Sequence, residues 1–166
     1  MKTSCETSIE HPAERIDLVQ WLENLSDREY QACSTGHRAA GAFRENGTFG
    51  TVNVENVGGH LLVQHYLAAK STPNQVVMHS RNTRAYLMHL VPVTIEVIWT
   101  LEVERKDSRS ALFRCTVETR MPTALAVVAT LGAMPFFLRR HVEEEAPLFA
   151  QDIARKIEKG RLHAAE

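Results

Sequence analysis

Two residues in a C-terminal segment have the types and spacing to do chemistry. His141 and Glu145 stand four positions apart in PFFLRRHVEEEAPLFAQDIARKIEKG, Pro135 to Gly160. If this segment is helical, the imidazole and the carboxylate lie one turn above the other. Both can then reach one metal ion beside the helix. An intrahelical hydrogen bond between them is the alternative reading. Glu145 falls within the apolar stripe Leu138, Val142, Phe149, Ile153, Ile157, and His141 borders it. An ionised carboxylate buried without a partner is costly, so its place in the stripe asks for one. Glu143 and Glu144 point elsewhere and read as solvated charge.

A metal site needs ligands from outside this segment. The candidates by residue type are His37, Glu55, His60, His65, His79, His89 and Glu96. Glu96 alternates onto the wet face of its strand and is discounted. His65 shares a face with Leu61 and Val63, which makes it a core or cavity histidine. His37 follows Gly36 at the end of a short helix, where a side chain can hang over a cavity mouth. Glu55 precedes Gly58-Gly59, and taken alone it reads as an exposed strand residue. Tyr66, His65 and His79 are candidates for proton transfer or substrate positioning. His11 and His163 lie near the ends and read as solvated.

The elements that must position these residues follow from period and punctuation. Pro12 to Asn24 predicts a first short helix with Ile16, Val19 and Leu22 on one face, and Pro12 suits its first turn. Ser26-Asp27 caps a second short helix, from Arg28 to about Thr35. Gly41 and Asn46-Gly47 mark turns. From Thr48 the apolar period becomes two. Thr48 to Val57 is a strand, Gly58-Gly59 a tight hairpin or bulge, and His60 to Lys70 the next strand. Gln75 to Ser80 and Arg84 to Leu90 follow as separate strands. Val93 to Glu104 and Ala111 to Glu118 form a hairpin with one buried and one wet face. Ser8 to Glu10 is a candidate short edge strand. Beyond Met121-Pro122 the chain is helical, with kinks expected at Pro135 and Pro147.

The order is therefore two short N-terminal helices, a meander of five or six antiparallel strands, and one long helix. This predicts an α+β domain over residues 1–166: a curved antiparallel sheet wrapped around the C-terminal helix, with an internal cavity between them. A chain of 166 residues, 44% hydrophobic and 23% charged, suits a single globular domain. A net charge of −1 argues against a nucleic-acid surface. No apolar run is long enough to span a membrane. The N-terminus lacks a signal-peptide stretch, and the three cysteines have no CxxC spacing, so a reduced, cytoplasmic setting is expected. The expected partner is a small apolar or aromatic ligand, and a homodimer stays open.

By order of elements the chain resembles the START-like, helix-grip superfamily that includes Bet v 1 and polyketide cyclases. Within it, the chain is similar to a shortened member of the diacetylphloroglucinol and phloretin hydrolase group. The matching pieces are Asp27-Arg28-Glu29-Tyr30 leading to His37, Val54-Glu55-Asn56-Val57-Gly58-Gly59, and His141-Val142-Glu143-Glu144-Glu145 followed by Leu148-Phe149. The chain departs from that group in carrying Ala32-Cys33-Ser34-Thr35-Gly36 where those proteins have a Trp-His-Pro-like run, and in being much shorter. The resemblance implies His37, Glu55, His141 and Glu145 as ligands of zinc or a similar divalent ion. It also implies hydrolysis of a carbon–carbon bond next to a ketone. The other reading is a metal-free protein that binds a hydrophobic ligand or cyclises a polyketide, with His141 and Glu145 as a structural pair in the cavity wall.

Overall fold

Alternating burial along the strands organises the chain into one sheet. The computed structural model describes residues 1–162. It contains seven antiparallel strands: β1 (Lys2–Ile9), β2 (His37–Glu45), β3 (Thr48–Val57), β4 (His60–Thr72), β5 (Gln75–Leu87), β6 (Val91–Arg105) and β7 (Ala111–Arg120). Their order across the sheet is β1-β7-β6-β5-β4-β3-β2. Strands β2 to β7 form a meander of hairpins, and β1 closes beside β7. Two of the turns are two-residue turns, Asn46-Gly47 and Gly58-Gly59, with both residues at positive φ. Such turns match the twist of the strands they join.

The meander β2 to β7 has six strands, within the five or six expected, and β1 adds the edge strand, though the individual strands differ from those foreseen. Gly41 lies inside β2, a strand the sequence did not signal, because its burial is weak and not strictly alternating. The edge strand foreseen at Ser8–Glu10 is the end of the eight-residue β1. The two strands foreseen at Gln75–Ser80 and Arg84–Leu90 are one continuous β5. Its register shifts between Ser80 and Thr83, where the Thr83 hydroxyl donates to Ser80 Oγ at 2.7 Å. Further irregularities interrupt the β4–β5 ladder between Val63 and Leu67 and between Ala68 and Lys70. Bulges of this kind bend a strand and increase its twist.

The connection between β1 and β2 carries a 3-10 turn (Ala13–Arg15) and the helices α1 (Leu18–Glu23) and α2 (Asp27–Gln31). The first expected helix thus breaks into two pieces at Ile16-Asp17, and Asp17 caps α1 by accepting from the Gln20 amide at 2.9 Å. Ser26 and Glu29 form a capping box at the start of α2. That helix ends at Gln31, short of the expected Thr35, so His37 opens a strand and does not trail a helix.

After β7 come α3 (Thr123–Leu131) and α4 (Met134–Glu158), whose axes differ by 76°. The break falls at Gly132-Ala133, with Ala133 at φ 58°, and not at Pro135. Pro135 sits in the first turn of α4, where no intrahelical amide donor is required. Pro147 is accommodated inside α4. No single helix among the described residues is long and apolar enough to cross a membrane.

α4 packs across the sheet against β1, β7 and β3. Its stripe Leu138, Val142, Phe149, Ile153 and Ile157 is buried, as its 3.6-residue period requires. Phe149 meets Trp21 edge to face at 5.3 Å and lies 5.8 Å from Trp99, joining α1, α4 and β6. Trp21 Nε1 donates to Asp152 at 3.0 Å, which satisfies the indole that this packing buries. His11 is half-buried, with Nε2 4.0 Å from Glu158. His163 lies outside the described residues.

Candidate metal centre

The inward face of β3 is polar. Thr51, Asn53, Glu55 and Val57 alternate toward the core, while Val52 and Val54 lie on the opposite face. Glu55 is therefore buried, contrary to its reading as an exposed strand residue. His37 joins it through a bulge. The β2–β3 ladder runs in regular register from Glu45↔Thr48 to Ala39↔Val54, and then shifts so that His37 pairs with Glu55. Continued without the shift, that register would seat Arg38 opposite Glu55 and turn His37 to the other face.

From the opposite side, α4 projects His141 toward both of them and Glu145 toward His37. His37, Glu55 and His141 each offer a ligand atom within 4.8 Å of the others. His37 Nε2 is 3.2 Å from Glu145 Oε2, and His141 Nε2 is 3.6 Å from both Glu55 Oε2 and Glu145 Oε2. All four residues are buried.

Each functional group is held from behind. His37 Nδ1–H donates to the Tyr30 carbonyl at 2.7 Å, and the Tyr30 ring stacks on the imidazole with centroids 3.8 Å apart. The Tyr30 hydroxyl donates to Glu55 Oε1, and Gln64 Nε2 donates to Glu55 Oε2 at 3.3 Å. Ser34 Oγ lies 3.2 Å from His141 Nδ1. Cys115 Sγ is 3.4 Å from Glu145 Oε1. Glu144, read as solvated charge, instead clamps the α2–β2 loop: its carboxylate accepts from the Thr35 amide at 2.9 Å and from the Ser34 hydroxyl at 3.1 Å. Glu143 remains exposed and pairs with Arg139 at 2.8 Å.

The electrostatics follow from this closeness. Burial opposes charge on His141, yet the Glu145 and Glu55 carboxylates outweigh it and raise the imidazole to about 9. Burial likewise opposes charge on Glu55, but its contact with His141 and the nearby His37 hold the carboxyl well below the usual range. The Cys115 thiol is pushed up by burial and then by Glu145, and the Tyr30 phenol by burial and then by Glu55. Neither is an acid in ordinary conditions.

The donor set fits a divalent metal ion. Two imidazole nitrogens and two carboxylates suit zinc, and the edge of a tetrahedron with such bonds is about 3.3 Å. The His37–Glu145 separation of 3.2 Å and the His141–Glu55 and His141–Glu145 separations of 3.6 Å match that edge. The group whose ligand atoms all lie within 4.8 Å of one another is His37, Glu55 and His141, without Glu145. One contact is more pointed. A carbonyl oxygen only accepts, so His37 must carry its proton on Nδ1. His37 Nε2 then faces Glu145 Oε2, another pure acceptor. Something electropositive, a proton or a cation, must lie between them.

The remaining candidates are elsewhere. His65 is exposed and stacks on Phe43 at 4.6 Å, because Leu62, Gln64 and Tyr66 take the inward face of β4. His79 bonds Glu96 away from the buried centre. His89 is exposed beside Asn56, and His60 accepts from the Met88 amide at 3.0 Å. Of the three proton-transfer candidates, only Tyr66 points inward. Residue types alone gave no hint of Ser34, Gln64 or Cys115, since each is a common side chain that acts here only through tertiary contact.

Two spaces adjoin the centre. A small void of about 20 Å³ is bounded by Glu55, Gln64, Tyr66, Thr119, His141 and Glu145 on its polar side. A larger cavity of about 480 Å³ lies between α3 and the ends of β4, β5 and β6. Its walls are apolar apart from His60, and Leu62 and Met134 line both spaces.

No family model and no curated protein matches the chain. Solved structures share its fold at very low identity. A conserved protein from Geobacillus kaustophilus aligns with TM-score 0.64 and 6% identity over 94% of this chain and 97% of that one. The Zhui aromatase/cyclase from Streptomyces sp. R1128 aligns with TM-score 0.62 and 10% identity over 95% of each chain. A START superfamily protein from Mycobacterium smegmatis aligns with TM-score 0.53 and 13% identity over 88% of this chain and 97% of that one. In its seven-stranded curved sheet, short N-terminal helices and long closing helix, the chain has the START-like, helix-grip fold.

Proposed function

We propose that this chain is a small-molecule cavity protein whose His37, Glu55, His141 and Glu145 hold zinc or a similar divalent ion, and that it hydrolyses a carbon–carbon bond next to a ketone. The observation that carries the reading is the contact of His37 Nε2 with Glu145 Oε2 at 3.2 Å, two acceptors that need a proton or a cation between them. Separations of tetrahedral size from His141 to Glu55 and to Glu145 support it, as does the resemblance to the phloroglucinol-type hydrolases at the same four positions.

What a divalent ion supplies at such a centre is polarisation of a ketone oxygen and a lowered pKa of water. The chain's own residues do the rest. Tyr30 fixes the His37 tautomer and holds Glu55, so the donors are oriented before a ligand arrives. Leu62, Trp99, Val97 and Leu138 keep bulk water from the polar void. Tyr66 faces that void with its proton retained, since burial and then Glu55 raise its pKa well above the usual value. It is the inward-facing group suited to hydrogen-bond a substrate oxygen. In the overall reaction the bond between the ring carbon and the acyl carbon breaks. Water gives its hydroxyl to the acyl carbon and a proton to the ring carbon.

The test is incubation of the zinc-loaded protein with a monoacylated polyphenol, with chromatographic detection of the free polyphenol and the carboxylic acid. Both products are expected in equal amounts and neither from His141→Ala. Their absence overturns the hydrolase assignment.

A second reading, a metal-free ligand-binding or cyclase-type protein, rests on a different observation. A protonated His141 between the two carboxylates also satisfies them, and one structural neighbour is an aromatase/cyclase.

A further inference from the structure

The polar void and the apolar cavity differ in size and character, and the difference defines a ligand. The void of about 20 Å³ has room for one or two non-hydrogen atoms. The cavity of about 480 Å³ can take a body of ring or chain size. Two polar groups among the void's lining residues lack a partner among the described residues. Gln64 is 3% exposed and its Nε2 is committed to Glu55, yet its Oε1 accepts nothing. Thr119 is also 3% exposed, and its hydroxyl neither donates nor accepts. Buried polar atoms left unsatisfied in this way are costly.

We propose that Gln64 and Thr119 form a head-group clasp for an uncharged amphiphile, a molecule with an apolar body and a hydroxyl or ketone at one end. This rests on the cavity reading above but not on the metal. The body lies against Leu125, Val128 and Phe137, and the head passes between Leu62 and Met134 into the void. Met134 is suited to that boundary because its unbranched thioether side chain adapts to shape. Gln64 Oε1 accepts from a hydroxyl head, and the Thr119 hydroxyl donates to a ketone or accepts from a hydroxyl. No lysine or arginine lines either space, and Glu55 and Glu145 stand at the end of the void, so a carboxylate head would be buried without a partner.

The test is a titration followed by protein NMR with three probes of one body: propylbenzene, 4-propylphenol and 4-propylbenzoate, each with zinc-loaded and with chelator-treated protein. The phenol should bind about tenfold tighter than propylbenzene, the scale of one buried neutral hydrogen bond or two. The benzoate should bind more weakly than either in the chelator-treated form. Thr119→Val should remove most of the phenol's advantage while leaving propylbenzene unchanged, Thr119→Ser should restore it, and Gln64→Leu should lower the phenol's affinity relative to that of propylbenzene. Equal binding of phenol and propylbenzene, or variants that weaken both alike, would overturn the clasp. Failure to take up zinc with the head-group preference intact would overturn the metal reading alone.

Discussion

His37 and Glu55 face each other across the β2–β3 ladder because one extra residue, Arg38, shifts the register beside them. Of the two side chains that the β-sheet contributes to the centre, Glu55 faces inward by alternation and His37 through the bulge, and Tyr30 locks both of them from behind. Its hydroxyl binds Glu55, its carbonyl binds His37, and its ring covers the imidazole. Tyr30→Phe keeps the stacking and loses the hydroxyl. It should cost about 1.5–3 kcal/mol of stability, the range for a hydrogen bond to a charged group, measured by urea denaturation. A change near zero would show that Glu55 does not rely on Tyr30.

Gly36 lies against the back of His141. A Cβ at position 36 would stand 2.9 Å from His141 Nδ1 and 2.8 Å from the Asn56 carbonyl, so one of them must move. Gly36→Ala and Ser34→Ala, which removes the hydroxyl 3.2 Å from the same nitrogen, should each weaken zinc binding by roughly 10- to 100-fold. Competition with a chromophoric chelator measures this, and unchanged affinity in both variants would remove His141 from the ligand set.

Much of the helical half of this centre was legible in the sequence. The spacing of His141 and Glu145 and the interruption of an apolar stripe are properties of one helix, and a helix's period is written locally. The strand half was not. Glu55 alternates inward with Thr51 and Asn53, polar residues that give no apolar signal of facing, while Val52 and Val54 point away from the core. His37 depends on a bulge that no local residue pattern announces; residue type and its place after Gly36 make it one candidate among several, and only the family resemblance singles it out as a ligand. His65 misled for the mirror-image reason, since its neighbours Leu61 and Val63 are apolar but lie on the outer face.

Phe149 ties three elements together through Trp21, Trp99 and the His37 ring. Phe149→Ala should destabilise the fold by about 3–5 kcal/mol, as large-to-small changes at fully buried aromatic sites do. Thermal unfolding measures it, and a loss below about 1 kcal/mol would mean that the core collapses around the gap.

Acid should loosen the packing of the N-terminal helices. Burial works against charge on Glu29, but the Ser26 amide and hydroxyl and the Lys156 ammonium outweigh it and lower the carboxyl from 4.5 to about 2. A depressed carboxylate contributes stability that is fully present above its unfolded pKa and is lost as pH falls toward the folded value. Stability should therefore decline between about pH 4.5 and 2 in part through this group. Glu29→Gln should flatten that limb in denaturation curves taken at successive pH values, and an unaltered slope would remove Glu29 from the acid response.

The most direct test of the account is the metal content of protein purified without a histidine tag and dialysed against zinc. The centre built from His37, Glu55, His141 and Glu145 predicts about one zinc per chain, strongly reduced in Glu145→Gln while the far-ultraviolet circular dichroism is unchanged. A folded wild-type protein that retains no zinc, or a Glu145→Gln variant that retains it undiminished, would contradict the account.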